Sequence, residues 1–292
     1  FPTRRSSDLL VDVIKRNALP NFESSVGMVD DGTLRVSGGV SESFPNIIED
    51  GRKYKLIGSK NVIGVKPLEY NYLRISTFIH EFLHAVKSEN HTFEILDDKD
   101  GTQYLRERCG LIYVLSKLSS GEGGKIKADV VKEINVGMEE GINTVDETNI
   151  MNKILAVPKE YIPADCRYII ESMPIEEQHS NHEIGAGYRY LASVANRLLQ
   201  NPKMNKVIRE AQLNGNYMHC QTYFNRRSHS KGNVWQKVNH SMDMVADQMY
   251  ELYRNLFSFT DEQRQDFMKK LNGNKEILNT TVQEILDEDK EK

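Results

Sequence analysis

Two histidines and a glutamate in this 292-residue chain have the types and spacing of a reactive site. His80 and His84 are four residues apart, and Glu81 directly follows the first histidine. Side chains four apart on a helix share one face, so both imidazoles can bind one metal ion, and imidazole suits zinc. Glu81 is rotated by about 100° from His80 and lies beside such an ion. The pattern predicts a zinc site in which Glu81 is the general base for a zinc-bound water.

The segment that carries these residues has helical periodicity. Apolar residues recur every three or four positions over residues 73–88, which predicts an amphipathic helix. The motif residues share its polar side, opposite the apolar stripe. The alternative is a pair of histidines that only pack at a core edge or lie on the surface.

A catalytic zinc ion needs a third protein ligand. The metzincin signature requires Gly at position 87 and His at position 90, and Lys87 and Asn90 exclude that class. A downstream carboxylate is the usual alternative, and Glu139 and Glu140 lie on the next long helical pattern, which we predict over residues 128–144. Helical periodicity does not separate these two glutamates. In the alternative interpretation neither glutamate binds a metal, and both are solvated residues near a helix end.

Residues 53–145 resemble the gluzincin branch of zinc metallopeptidases. The resemblance is to bacterial proteins in which the His-Glu-x-x-His helix precedes an Asn-Glu-Gly-x-Thr-Glu-like segment, and it implies that Glu140, before Gly141, is the third ligand. The chain departs from this pattern at Glu139, where Asn is expected, and at Asn143, where Thr is usual. Thr144 stands where the thermolysin-like pattern has Asp.

The same resemblance implies an α+β, zincin-like fold. A small twisted β-sheet and the active-site helix would be followed by a mainly helical C-terminal half. The edge of the sheet, over residues 62–67, would pair with an extended peptide substrate. Family members often stabilise the oxyanion with Tyr or His from the helical half, and Tyr188, Tyr190 and His182 are candidates by position.

Local signals predict further elements. Two hairpins are expected, one from strands at 53–57 and 62–67, the other from strands at 92–96 and 102–107 around Gly101. Helices are expected at 188–199, 234–257 and 260–271, the last opening with a capping box at Thr260.

The composition of the chain argues against two classes of partner, nucleic acid and the membrane interior. The chain has 38 basic and 42 acidic residues, a net charge of −4, which argues against nucleic-acid binding. No run approaches the roughly 20 apolar residues of a membrane-spanning helix.

Three widely spaced cysteines favour a reducing compartment such as the cytoplasm. Residues 1–9 resemble a translated sequencing adapter, so we expect them to be an artefactual tail. The true N-terminus, with any export signal, is then expected to be missing from this sequence.

The prediction is therefore a single-zinc metallopeptidase acting on a peptide or protein substrate. Residues 10–150 would form the catalytic subdomain and residues 151–292 a helical subdomain. One alternative is a catalytically inactive zincin scaffold that serves as a binding or regulatory module. A second alternative is a protease that cuts a single partner protein.

Overall fold

The two halves of the chain differ in secondary structure. A computed structural model describes residues 24–28, 39–65, 71–86, 92–161, 186–215, 217–227, 233–255 and 258–290. Seven strands in two small sheets occupy the first half of this described part, and helices dominate the second half. The predicted α+β class is confirmed. None of the helices in these ranges has the length and apolar character to cross a membrane.

The first sheet has three strands. They are β1 (Ser24–Met28), β2 (Gly39–Asp50) and β3 (Lys53–Val65), in the order β1-β3-β2. β3 is one continuous strand, so the hairpin predicted within residues 53–67 is wrong. The turn lies earlier, at Gly51 (φ +68°) between β2 and β3, because an Asp-Gly pair readily supplies a tight hairpin turn.

The predicted edge strand is wrong as well. β3 is paired on both sides over Val62 to Val65, in parallel with β1 and antiparallel with β2. Residues 66–67 lie outside the described residues. The same holds for residues 10–17 and 33–37, where the sequence pattern predicts a short helix and a short strand. Among the described strands of this sheet, β2 is the outer strand that contacts the motif helix.

The second sheet is an antiparallel meander. Its strands are β4 (Thr92–Asp97), β5 (Gln103–Cys109), β6 (Ile112–Ser120) and β7 (Ile126–Ile134), in that order. The hairpin around Gly101 (φ +82°) is confirmed. The helix predicted from residue 128 is wrong at its start, since Ala128 to Ile134 belong to β7. The next helix begins after Asn135, which has φ +66°.

Seven α-helices lie in the described ranges. They are α1 (Asn71–Val86), α2 (Val136–Leu155), α3 (Ala186–Leu199), α4 (Pro202–Asn214), α5 (Tyr217–Arg227), α6 (Val234–Asn255) and α7 (Asp261–Lys290). α7 is far longer than predicted. Its capping box is present, because Thr260 N–H donates to Gln263 Oε1 (2.9 Å) and Gln263 N–H donates to Thr260 Oγ1 (3.2 Å).

The largest core surrounds α2. Met138 and Ile142 of α2 are fully buried with residues of α3 and α6. Gly141 lets α3 approach, since a Cβ there would lie 2.7 Å from the Leu191 carbonyl oxygen. α1 packs on the first sheet through Val86 and on α2. Position 150, the predicted subdomain boundary, falls inside α2, and the division itself stays a prediction.

Candidate metal centre

His80 and His84 lie on the face of α1 that packs against α2. Both are buried, with 8% and 7% of their surface exposed. Their ring centroids are 5.0 Å apart, as expected for side chains one helical turn apart. The histidines predicted on the polar side of this helix therefore face another helix.

Glu140 reaches the same point from α2. Its Oε2 lies 2.9 Å from His80 Nε2, and its Oε1 lies 3.3 Å from His84 Nε2. The two Nε2 atoms are 3.3 Å apart. The structure thus brings together the three ligands predicted from the sequence, with one donor atom from each within 4.8 Å of the others.

These separations fit a zinc coordination sphere. Zn–N and Zn–O bonds of about 2.0–2.1 Å in a tetrahedron place ligand atoms about 3.3 Å apart. The two imidazole Nε2 atoms are 3.3 Å apart, which equals that edge. One carboxylate oxygen of Glu140 faces each of them, Oε2 at 2.9 Å from His80 and Oε1 at 3.3 Å from His84. Two histidines and one glutamate also form a donor set known for catalytic zinc, with a fourth position open to water or substrate.

The neighbouring Glu139 has a structural role, as the acceptor of two buried hydrogen bonds. It is fully buried, and its Oε2 accepts the Leu111 N–H at 2.8 Å. Its Oε1 accepts from Gln212 Nε2 on α4, also at 2.8 Å. One step along a helix turns a side chain by about 100°, so Glu139 faces the core while Glu140 faces α1. The structure separates two glutamates that periodicity left equivalent.

The turn between β5 and β6 contacts both α1 and α2, the helices that carry the candidate ligands. Cys109 Sγ donates to the His84 carbonyl oxygen of α1 (3.1 Å), and Asn135 Nδ2, just before α2, donates to the Leu111 carbonyl oxygen (3.0 Å). Gly110 has φ +58°, and a Cβ there would lie 2.6 Å from the Glu139 carboxyl group. This turn therefore sets the spacing of α1 and α2.

The start of α2 is capped from α6. Asp243 accepts the backbone N–H groups of Asn135 and Gly137, both at 2.8 Å. Burial raises the pKa of Asp243 to about 6, against the opposing effect of these hydrogen bonds. A carboxylate at a helix N-terminus also complements the helix dipole, so this cap anchors the turn that carries Glu140.

Sequence reasoning missed Glu147, seven residues after Glu140. Its Oε2 lies 3.1 Å from His80 Nδ1, and its Oε1 accepts from the Ser76 hydroxyl. Thr144, where the thermolysin-like pattern has Asp, instead donates its hydroxyl to the Glu140 carbonyl oxygen at 2.9 Å. A spacing of two helical turns on α2 is the sequence signal that could have found Glu147.

The charges in the cluster compensate one another. Burial lowers the pKa of His80, but hydrogen bonds to Glu140 and Glu147 outweigh it and hold that pKa well above its usual value. The pKa of His84 is also raised, because the charge of Glu140 outweighs the effect of burial. Despite burial, the two histidines hold the pKa of Glu140 below its usual range. Metal binding requires deprotonated ligands, so a metal ion and protons compete for this cluster.

Glu81 and Tyr188 border the cluster. Burial raises the pKa of Glu81, while the neighbouring charges of His84 and His80 lower it, so its carboxyl group lies within electrostatic reach of both ligands. The Tyr188 ring stacks on His80 at a centroid distance of 5.8 Å and is 42% exposed.

Tyr190, another candidate for the oxyanion site, lies away from the cluster. The Tyr190 hydroxyl donates to the Lys275 carbonyl oxygen at 2.7 Å, which turns it towards α7. His182 is outside the described residues. Of the two candidates that the structure describes, Tyr188 is the one that it brings to the cluster.

Comparison with known proteins identified no relative of this chain. No protein-family model matches the chain, and no curated protein and no solved structure matches it significantly.

Proposed function

We propose that the protein is a zinc-dependent peptidase whose metal ligands are His80, His84 and Glu140. The observation that carries the proposal is the convergence of the three side chains from two helices, with one donor atom of each within 4.8 Å of the others. The two imidazole Nε2 atoms are 3.3 Å apart, close to the edge of a tetrahedral zinc site. The charge of the three side chains supports it too, since one carboxylate and two imidazoles leave a bound zinc ion with a net positive charge. The zincin-like character of the fold belongs to this proposal.

Glu81 would be the general base. It follows a ligand on α1 and lies within electrostatic reach of both histidines, so its carboxylate can take the proton of an attacking water and pass it to the leaving amine. A bound zinc ion supplies the Lewis acidity that polarises the peptide carbonyl and acidifies water. Tyr188, stacked on His80, would face the substrate from the helical half.

The substrate would bind along β2. This strand is at the outer side of its sheet and contacts α1, which carries the motif. An extended peptide can add to such an edge through main-chain hydrogen bonds. The corrected topology therefore moves the proposed substrate strand from residues 62–67 to β2.

Metal content tests the proposal directly. Purified protein should carry one zinc ion per chain, and the His84→Ala variant should lose it. His219→Ala is the matched control, because His219 is a half-exposed histidine on α5, and it should keep the metal. A wild-type protein with no stoichiometric metal after loading with zinc would refute the proposal.

Turnover needs a separate experiment. The Glu81→Gln variant should keep zinc and lose hydrolysis of a broad peptide library and of unfolded protein substrates. Retained activity would remove Glu81 from its role. Stoichiometric zinc in a wild-type protein that cleaves no substrate would favour the non-catalytic scaffold over the peptidase.

A further inference from the structure

Glu147 and Glu140 lie on the same face of α2, two turns apart, and both contact His80 of α1. Glu140 faces the Nε2 atom of the ring at 2.9 Å, and Glu147 faces the Nδ1 atom at 3.1 Å. The imidazole is therefore held between two carboxylates, one at each nitrogen. Only the Nε2 side also faces His84.

This arrangement assigns different roles to the two ring nitrogens. A carboxylate can only accept, so Glu147 requires a proton on Nδ1. A neutral ring with its proton on Nδ1 has a free electron pair on Nε2, which is the atom that faces Glu140 and His84. A carboxylate in this outer position fixes the orientation of a ligand histidine and strengthens it as a ligand.

Glu147 is itself held in place. Its second oxygen accepts from the hydroxyl of Ser76, which lies one turn before His80 on α1. The side chain of Glu147 is 18% exposed, so water competes weakly for these hydrogen bonds. Ser76, Glu147 and His80 thus form a chain of hydrogen bonds that ends at the proposed metal position.

We propose that Glu147, held by Ser76, is the positioning residue of the metal centre, which fixes His80 with its proton on Nδ1 and its Nε2 directed at the ion. The proposal rests on the metal site of the proposed function but not on peptidase activity. It assigns the outer carboxylate to a position seven residues after Glu140. Thr144, four residues after Glu140, has no part in it, because its hydroxyl is bonded to a backbone carbonyl oxygen.

Zinc affinity tests the assignment. Competition with a chromophoric chelator would give the zinc dissociation constant of the wild type and of the Glu147→Gln, Ser76→Ala and Thr144→Val variants. We expect Glu147→Gln to weaken zinc binding by about 10-fold to 100-fold, as outer carboxylates do. Ser76→Ala removes one hydrogen bond and should weaken it by about fivefold.

The controls separate positioning from folding. Thr144→Val and Glu122→Gln, the latter in the exposed turn between β6 and β7, should bind zinc like the wild type. Circular dichroism of each metal-free variant would check that it is folded. If Glu147→Gln does not fold, Ser76→Ala carries the test alone, and wild-type affinity in that variant overturns the proposal.

NMR gives a readout that a purely structural role would not change. Long-range proton–nitrogen spectra report which ring nitrogen carries the proton. In the metal-free wild type the neutral ring of His80 should have it on Nδ1, and Glu147→Gln should weaken this preference. A proton on Nε2, or equal zinc affinity in the wild type and Glu147→Gln, overturns the positioning role and leaves the proposed function intact. A wild type that binds no zinc overturns both.

Discussion

The adjacent glutamates at the start of α2 permit a sharp test of the site. Substitution of Glu139 by Gln should lower stability and leave zinc binding intact, whereas the same substitution of Glu140 should abolish zinc binding. Glu139→Gln replaces a buried carboxylate that accepts two N–H donors. A glutamine can accept from one donor only, and its amide group would face the other. Losing one hydrogen bond to a charged group removes about 1.5–3 kcal/mol, and an unsatisfied buried donor adds about 1–3 kcal/mol.

The free energy of unfolding of Glu139→Gln should therefore fall by about 2.5–6 kcal/mol. In a chain of this size that corresponds to a melting temperature lower by about 10 °C. The loss should be the same with and without zinc, since Glu139 contacts Leu111 and Gln212 and not the histidines. Zinc at a thousand times its dissociation constant should still stabilise this variant by about 4 kcal/mol.

Glu140→Gln should show the opposite pattern. It removes the charged ligand between the two imidazoles, so the zinc-dependent rise in melting temperature should disappear. Thermal unfolding of the wild type and both variants, each with a chelator and with saturating zinc, gives the required comparison. The ligand assignment is refuted if Glu139→Gln loses the zinc-dependent rise and Glu140→Gln keeps it.

Three further predictions concern stability. Gly110→Ala should lower the free energy of unfolding by about 2 kcal/mol or more in urea titrations, because the residue has φ +58° and the new Cβ would meet the Glu139 carboxyl group. Burial, with a second carboxylate nearby, raises the pKa of Glu107 from 4.5 to about 7. The folded state then holds this proton more tightly than the unfolded state, so the contribution of Glu107 to stability is complete below about pH 4.5 and lost as the pH rises through about 7. Glu107→Gln should raise stability at pH 8 by about 1–3 kcal/mol and flatten the pH dependence of urea unfolding between pH 5 and 8. Thr260→Ala should cost about 1 kcal/mol, measured in the same titrations, by removing the capping bond to Gln263 at the start of α7.

Local signals in the sequence predicted the elements that depend on local physics. The motif helix, the β4–β5 hairpin and the capping box of α7 each follow from residues within a few positions of one another. The proximity of His80, His84 and Glu140 was also predicted, although the choice of Glu140 over Glu139 came from resemblance alone. Buried contacts to Leu111 and Gln212 make the distinction physically, and no local pattern contains them.

The two elements that were predicted wrongly have different causes. Residues four apart lie on one face in a helix, but they also lie on one face in a strand, whose period is two. The spacing of Val130 and Ile134 therefore could not separate β7 from the start of α2. The first hairpin was misplaced for another reason. The predicted connection at residues 58–61 contains Gly58, which a strand tolerates, whereas the Asp-Gly pair at Gly51 is the turn-forming signal.

The structure links the proposed metal centre to the helical half through residues that are not among its proposed ligands. The β5–β6 turn contacts α1 through the Cys109 thiol and α2 through Glu139, and Glu139 in turn contacts Gln212 of α4. The distance between ligands on α1 and a ligand on α2 therefore depends on a buried hydrogen-bond network one residue away from Glu140. Because an interior this closely packed transmits small shifts, the helical half is part of what holds the three donor atoms together. The motif helix and its sheet alone lack that network, as well as the third ligand.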